Sequence, residues 1–274
     1  MAGASEHPDI WRAIDAQPTA AKLADTLELR GRTPAQVRLR RRFLRFVPIR
    51  AGQRVLEIGC GTGVVLRDLI ALVGRRGEVT GLDPSRTMLA RARTLARGVR
   101  GATLRLRQGD AHELPFAAAR FDVALAITVI LHVADPLRVV KELARVTCAG
   151  GRVGLQDQDF GLVGAAHPDR ALTDRILDGV AARIYEEPYS GRRLAALLRD
   201  AGLDEVRVLA DVYQDTTLTD FSRAFLERRA ENAVRFGIVD PPTATRWLDG
   251  FNEYLARGAF VLTMNYFGAV GVKR

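Results

Sequence analysis

The sequence predicts an α/β fold: a doubly wound, mostly parallel sheet of about seven strands, the last one antiparallel, with a helical cap. Three observations lead there. Short β-type runs alternate with helical stretches through the middle of the 274 residues, the pattern of a parallel sheet covered on both faces. A glycine-rich turn, Gly59-Cys60-Gly61-Thr62-Gly63, joins the first strand of that alternation to its first helix. Acids, Asp83 and Asp110, then follow the second and third strands, at the edge where open α/β sheets bind ligands.

The elements follow in order. The first strand is Arg54 to Ile58, and after the glycine turn a helix runs from Val64 to Val73, its end marked by Gly74 and Gly77. A second strand, Glu78 to Leu82, reaches Asp83, and Pro84-Ser85 suits a helix start for Arg86 to Arg97. Thr103 to Gln108 and Phe121 to Ile127 read as strands three and four. Asp135-Pro136 opens a helix over Leu137 to Thr147, and Gly150-Gly151 introduces a fifth strand, Arg152 to Gln156. Gly191 to Ala201 reads as a helix. Val206, Val208, Ala210 and Val212 alternate as one face of a sixth strand, and Ala259 to Val272 forms the last.

Residues 1–50, about 160–190 and about 215–257 fall outside this scaffold and are mostly helical in pattern. Segments attached at three places in this way commonly form a lid over a site. The expected organisation is an N-terminal cap segment, 1–50, and a domain, 51–274, that carries the other two cap pieces.

Composition excludes several classes. With 47% hydrophobic and 27% charged residues, the chain is neither disordered nor low in complexity. Two cysteines, Cys60 and Cys148, are too few for a disulfide framework, and no Cys/His spacing resembles a metal site. The longest apolar run, Val123 to Leu131, is far short of the ~20 residues that span a bilayer, so a cytoplasmic location without membrane insertion is expected. The net charge of +9 comes almost entirely from arginine. Two stretches concentrate it without an acid, Arg30 to Arg54 with nine arginines and Arg86 to Arg107 with seven. Solvated helix faces explain most such arginines, and attraction for an anionic substrate or RNA is the other reading.

The turn Val55-Leu56-Glu57-Ile58-Gly59-Cys60-Gly61-Thr62-Gly63 places a glycine at every second position after the strand. Missing Cβ atoms let the backbone turn sharply and approach a ligand, and the helix that follows offers unpaired N–H groups. A nicotinamide fingerprint fails because Val64 and Leu66 stand where a third glycine belongs, and a Walker loop fails for want of Gly-Lys-Ser/Thr.

The pattern E-x-G-x-G-x-G resembles the first motif of class I S-adenosylmethionine-dependent methyltransferases. Asp83, Gly109-Asp110-Ala111 and the strand Phe121-Asp122-Val123-Ala124-Leu125-Ala126 stand at that family's later intervals. Together with Leu131-His132-Val133-Ala134-Asp135-Pro136 they look most like the ubiquinone/menaquinone C-methyltransferase and natural-product branch, on a Rossmann-like sheet. Ile127 and Leu131 depart from it, since relatives often carry Asn or Ser and a second His there. The resemblance implies that Glu57 holds the glycine loop and the cofactor's amino group, and that Gly59, Cys60, Gly61 and Gly63 pass beneath the methionine moiety. It also implies Asp83 at the ribose with Ser85 and Met88 near it, Asp110 and Ala111 at the adenine edge, and Ala126 with Thr128 at the methionine end. Each has a plainer reading: Asp83 as a helix cap, Asp110 as a solvated loop acid, Met88 as core. Cys60 is a small residue in a crowded turn, with no nucleophilic role.

Methyl transfer needs alignment first and a base only when the acceptor must lose a proton. His132, close after the fourth strand, is the first candidate base, and it could equally cap the short helix there. Asp157 and Asp159, after the fifth strand, could orient a hydroxyl or amine. His167, Tyr185, Tyr189, Asn265 and Tyr266, and the aromatic Phe160, Trp247 and Phe251, belong in or beside the lid and suit either a planar acceptor or helix packing. The expected function is S-adenosylmethionine-dependent methylation of a small-molecule acceptor, quinone-like or a natural product. No nucleic-acid partner is expected, for lack of an RNA-binding module, although RNA methylation stays the rival enzyme reading. A cofactor-binding cyclase or binding protein that transfers no methyl group is the second class, and a homodimer surface in the helical segments is left open.

Overall fold

The computed structural model describes residues 9–274, apart from the side chains of Ile10 and Arg12, so the first eight residues of the expected cap lie outside the described residues. A 3₁₀ turn, Ile10–Ala16, leads into α1 (Ala20–Arg32) and α2 (Pro34–Phe46). Then come β1 (Arg54–Ile58), α3 (Val64–Val73), β2 (Glu78–Asp83), α4 (Arg86–Leu95), β3 (Thr103–Gln108) and β4 (Phe121–Ile127). The second half runs α5 (Pro136–Val146), β5 (Thr147–Ala165), α6 (Arg170–Ile184), α7 (Ser190–Asp200), β6 (Leu203–Asp215), α8 (Asp220–Arg235), α9 (Pro241–Ala256) and β7 (Leu262–Lys273).

Local chemistry sets the helix ends. Asp135 caps α5 by accepting from the Arg138 N–H at 2.9 Å, with Pro136 in the first turn, and Ser85 caps α4 by accepting from the Met88 N–H at 3.1 Å. On α5 the apolar positions Val139, Val140, Leu143 and Val146 fall on one stripe and are fully buried.

The seven strands lie in the order β3-β2-β1-β4-β5-β7-β6. Neighbours from β3 to β5 pair in parallel, and β7 is antiparallel to both β5 and β6. One face is covered by α5 and α7, whose Val140, Leu143, Leu194 and Leu198 pack on Leu56, Ala124 and Leu155. The other is covered by α2 and α3, through Phe43, Val47, Leu66 and Leu69 against Val55, Val79 and Val123. A separate cap core forms where α6, α8 and α9 meet the far ends of β6 and β7, around Ile176, Leu226, Trp247, Phe251 and Tyr213.

The fifth strand is much longer than its apolar segment suggests. It continues through Gln156-Asp157-Gln158-Asp159 to Ala165, pairing with β7 beyond Asp159 after a shift in register. A run of four polar residues reads as a strand end, yet all four are buried, and Asp157, Gln158 and Asp159 each find a partner (below). The expected second cap piece therefore begins as strand. On the edge strand β6, the Val208 and Val212 face is turned to solvent, 54% and 41% exposed, and Tyr213 faces the cap core. Among the described residues no helix is long and apolar enough to cross a membrane.

Candidate active site

At the carboxyl end of β1 the chain turns on Gly59 and Gly61, whose φ angles are +59° and +51°. A Cβ at Gly59 would stand 2.5 Å from Val129 Cγ2, so the position combines left-handed backbone with no room for a side chain. The turn is tied to β2 twice: the Cys60 N–H donates to Leu82 O at 3.1 Å, and the Gly61 N–H to Asp83 Oδ2 at 2.8 Å. The Ser85 N–H donates to the other Asp83 oxygen at 2.9 Å. Burial pushes the Asp83 carboxyl upward, against the pull of those two amides. Glu57 is buried directly behind, with Oε2 lacking any hydrogen-bond partner. Burial, with the Asp83 charge adding to it, pushes the Glu57 carboxyl well up. Burial likewise raises the Cys60 thiol, so it is no thiolate nucleophile.

The N-terminal segment closes over these strand ends. Asp15 accepts from Ser85 Oγ at 2.6 Å and from the Arg86 and Thr87 N–H groups at 2.8 and 3.2 Å, so a side chain distant in sequence helps cap α4. The Ser85 hydroxyl first, and these amides after it, hold the Asp15 carboxyl down to about 2. Further along the segment, Asp9 is buried and its Oδ2 lies 2.5 Å from His132 Nδ1. His132 stands in the 3₁₀ turn Ile130–His132 that follows β4.

The cavity at these strand ends measures about 440 Å³. Its floor is Gly59, Gly61, Asp83, Asp110, Ala111 and Thr128; its roof is Trp11 and Ile14; its far wall is Phe160, Tyr185, Phe225 and Arg229, with His132 between. Thr128 holds φ +55°, a strained conformation for a β-branched residue. A smaller adjoining cavity of about 100 Å³ reaches past Glu57, Gly59, Cys60 and Gly61 to Arg30, Gln36 and Tyr266. There the Tyr266 hydroxyl accepts from Gln158 Nε2 at 2.6 Å and Gln36 Nε2 at 2.9 Å.

Several of the residues singled out in the sequence stand elsewhere. Asp157 and Asp159 are buried but do not line the cavity: on a continuing strand they point away from it, while Gln158 and Phe160 point in. Asp159 is paired with Arg192, and Asp157 accepts from the Leu131 N–H at 3.0 Å beneath the His132 turn. Neither lines the cavity in which the sequence reading put them against an acceptor, and both hold neighbouring groups of the fold. Burial lifts the Asp157 carboxyl to about 7, the neighbouring His132 working in the other direction. Met88 is fully buried with Ile14, Leu23 and Ala24, Ala126 lies in the sheet core, and Gly63 packs against Ala92. Ser85 acts through Asp15 and Asp83. Of the lid residues, Tyr185 and Phe160 reach the cavity. Trp247 and Phe251 are cap core, His167 packs on both of them, Asn265 pairs along β7, and Tyr189 lies under Arg192 at the surface.

Sequence reasoning missed Asp9, Asp15, Arg30, Gln36, Gln158 and Arg229, and no local motif marks them. The faint signal was the pairing of charge with apolar spacing in segments assigned to a lid. Five of the sixteen arginines in the two stretches stand in ion pairs: Arg40 with Asp68, Arg42 with Asp211, Arg54 with Asp122, Arg91 with Asp25 and Arg105 with Glu78.

Comparison with known proteins agrees with this geometry. Residues 56–155 match a family described as a methyltransferase domain. The chain is 31% identical over 223 residues to an uncharacterised 37.1 kDa protein of transposon Tn4556 from Streptomyces fradiae, covering 81% of this chain and 63% of that protein. It is 33% identical over 174 residues to 27-O-demethylrifamycin SV methyltransferase from Amycolatopsis mediterranei, covering 62% of this chain and 61% of the relative. Among solved structures, phosphoethanolamine N-methyltransferase 2 of Haemonchus contortus, in complex with phosphomonomethylethanolamine and S-adenosylhomocysteine, superposes with TM-score 0.62 at 18% identity, over 97% of this chain and 60% of that one. The chain spans between about half and two thirds of the length of the curated relatives it matches first.

Proposed function

We propose that this chain, whose residues 56–155 match a methyltransferase-domain family, is a class I S-adenosylmethionine-dependent methyltransferase with a small-molecule acceptor. The observation that carries this is a single cavity with the glycine turn and two strand-end acids on one side and His132 with cap aromatics on the other. The small-molecule reading draws on the rifamycin relative. A quinone-like or natural-product frame suits the aromatic wall.

The residues present fit the cofactor. Glu57 Oε2 is a buried acceptor without a donor, suited to an ammonium group, and Arg30 at the same small cavity suits a carboxylate. Each Asp83 oxygen already takes one amide and retains a second lone pair for a ribose hydroxyl. Gly59 and Gly61 keep the floor free of side chains, and Asp110 with Ala111 edges the cavity next to Asp83. Bound there, S-adenosylmethionine supplies an activated methyl group on a sulfonium.

The chain's own part is placement and proton removal. Asp9 beside Nδ1 fixes the proton on that atom, leaving His132 Nε2 to take one from an acceptor hydroxyl. Asp157 holds the Leu131 N–H and with it the turn that carries His132. The N-terminal segment and cap exclude water from the site. The activity test is incubation with labelled S-adenosylmethionine and a panel of phenolic, quinol and amine acceptors. Labelled product with S-adenosylhomocysteine is expected; binding of the cofactor without transfer to any acceptor would favour the non-methylating reading.

A further inference from the structure

We propose that the far wall of the cavity is a carboxylate-recognition subsite built on Arg229, so that the acceptor is an aromatic carboxylic acid. This rests on the methyl-transfer reading of the same cavity. Arg229, on α8, is 4% exposed and lines the cavity. Its guanidinium carbon lies over three rings, 4.7 Å from the centre of Phe160, 4.8 Å from Phe225 and 5.5 Å from Tyr185. Nη2 donates to Tyr185 Oη at 3.3 Å, while Nη1 is buried without any partner.

A buried guanidinium with an unmade hydrogen bond is strongly unfavourable, and arginine is almost never fully buried unless paired. Ring faces lower that cost but do not satisfy the N–H groups. Packing alone does not call for a cation here, since a methionine would fill the same aromatic surroundings at no electrostatic cost. The acids that line the cavity, Asp83 and Asp110, belong to the floor, where Asp83 is bound by two amides and Asp110 by His112.

What the wall lacks is a negative partner for Arg229. The half-buried Arg228 also lines the cavity, so geometry rather than charge count selects carboxylate, and the phosphate arm of the test below separates the two. The planar fork of arginine suits carboxylate oxygens, and Tyr185, accepting from Nη2, keeps its own hydroxyl proton to donate to the same group. Phe160 and Tyr185, stacked at 4.4 Å, give the frame that bears the carboxylate an aromatic wall. His132 lines the same cavity, its ring 5.6 Å from that of Tyr185, so an acid held at Arg229 has its remaining substituents beside His132.

The test is calorimetric, on the full chain saturated with S-adenosylhomocysteine, using 4-hydroxybenzoate and the uncharged 4-hydroxybenzamide. The acid is expected to bind at least about tenfold more tightly than the amide, and Arg229→Gln to abolish that preference. Affinity for S-adenosylhomocysteine is expected to be unchanged in the variant. Should Arg229→Gln not fold, Arg229→Lys keeps the charge without the fork and is expected to weaken the acid several-fold and leave the amide alone. Equal binding of acid and amide overturns the proposal, as does a preference that survives the substitution, or no binding of the acid by about 10 mM. Displacement of the acid by inorganic phosphate at lower concentration would make the site a phosphate site instead. Loss of S-adenosylhomocysteine affinity in Arg229→Gln would assign the arginine to the cofactor. If the wild-type chain does not bind S-adenosylhomocysteine at all, the methyl-transfer reading fails, and the acid–amide comparison without it still decides the subsite.

Discussion

Asp157 makes the fold's stability depend on pH in a direction opposite to that of an ordinary surface acid. In the unfolded chain its carboxyl titrates near 3.8, whereas burial in the fold lifts it to about 7. The folded state therefore favours the protonated form. Stability associated with this group is fully present below about pH 4 and is lost as the pH rises through about 7. At 1.36 kcal/mol per pH unit, the rise corresponds to about 4 kcal/mol between those limits, an upper figure because local relaxation lets water reach an ionised carboxylate. The perturbation is Asp157→Asn, which stays neutral at every pH. It also forfeits one of the two backbone hydrogen bonds, from Leu131 or Gln158, a loss of about 1 kcal/mol that does not vary with pH. Urea denaturation of both proteins from about pH 5 to pH 8 separates the two effects: the offset is constant and the slope is not. The wild type is expected to lose stability relative to the variant by about 2–3 kcal/mol over that interval. Parallel curves would refute the assignment of a buried carboxyl that resists ionisation beneath His132.

Three further outcomes follow from the site. Gly59→Ala puts a Cβ 2.5 Å from Val129 in a left-handed conformation, which is expected to cost about 2–4 kcal/mol in denaturant unfolding and to abolish cofactor uptake. For an acceptor hydroxyl, His132→Ala is expected to lower kcat about 100-fold and Asp9→Ala about tenfold, both measured by product formation under saturation. Asp15→Ala removes the trans cap of α4 and is expected to lower stability by about 1–2 kcal/mol while raising protease sensitivity of residues 9–20.

The half of the chain in which local rules agree with global packing was legible. Glycines that need positive φ, a proline after Asp135 and alternating apolar runs put β1, α3, β3 and β4 at their observed boundaries. The cap was not, because its polar residues are satisfied by partners far away in sequence. Gln158 meets Tyr266, Asp159 meets Arg192 and Asp9 meets His132, and nothing in the neighbourhood of either partner signals the pairing. The same blindness placed Asp157 and Asp159 among acceptor ligands. They were expected after a strand that ended at Gln156, but the strand continues through them to Ala165, so the alternation of sides sent them away from the cavity. Met88, for which the core reading stood beside the cofactor one, is covered by a helix from the N-terminal segment.

The most direct measurement is a calorimetric titration of the purified chain with S-adenosylhomocysteine, alongside Asp83→Asn. One saturable site per chain is expected, with affinity reduced about 10–100-fold in the variant, since one amide of the turn and one ribose contact are lost together. No heat of binding and no thermal shift with the wild-type chain, or equal affinity in the variant, would contradict the assignment of this cavity to an adenosine-bearing methyl donor.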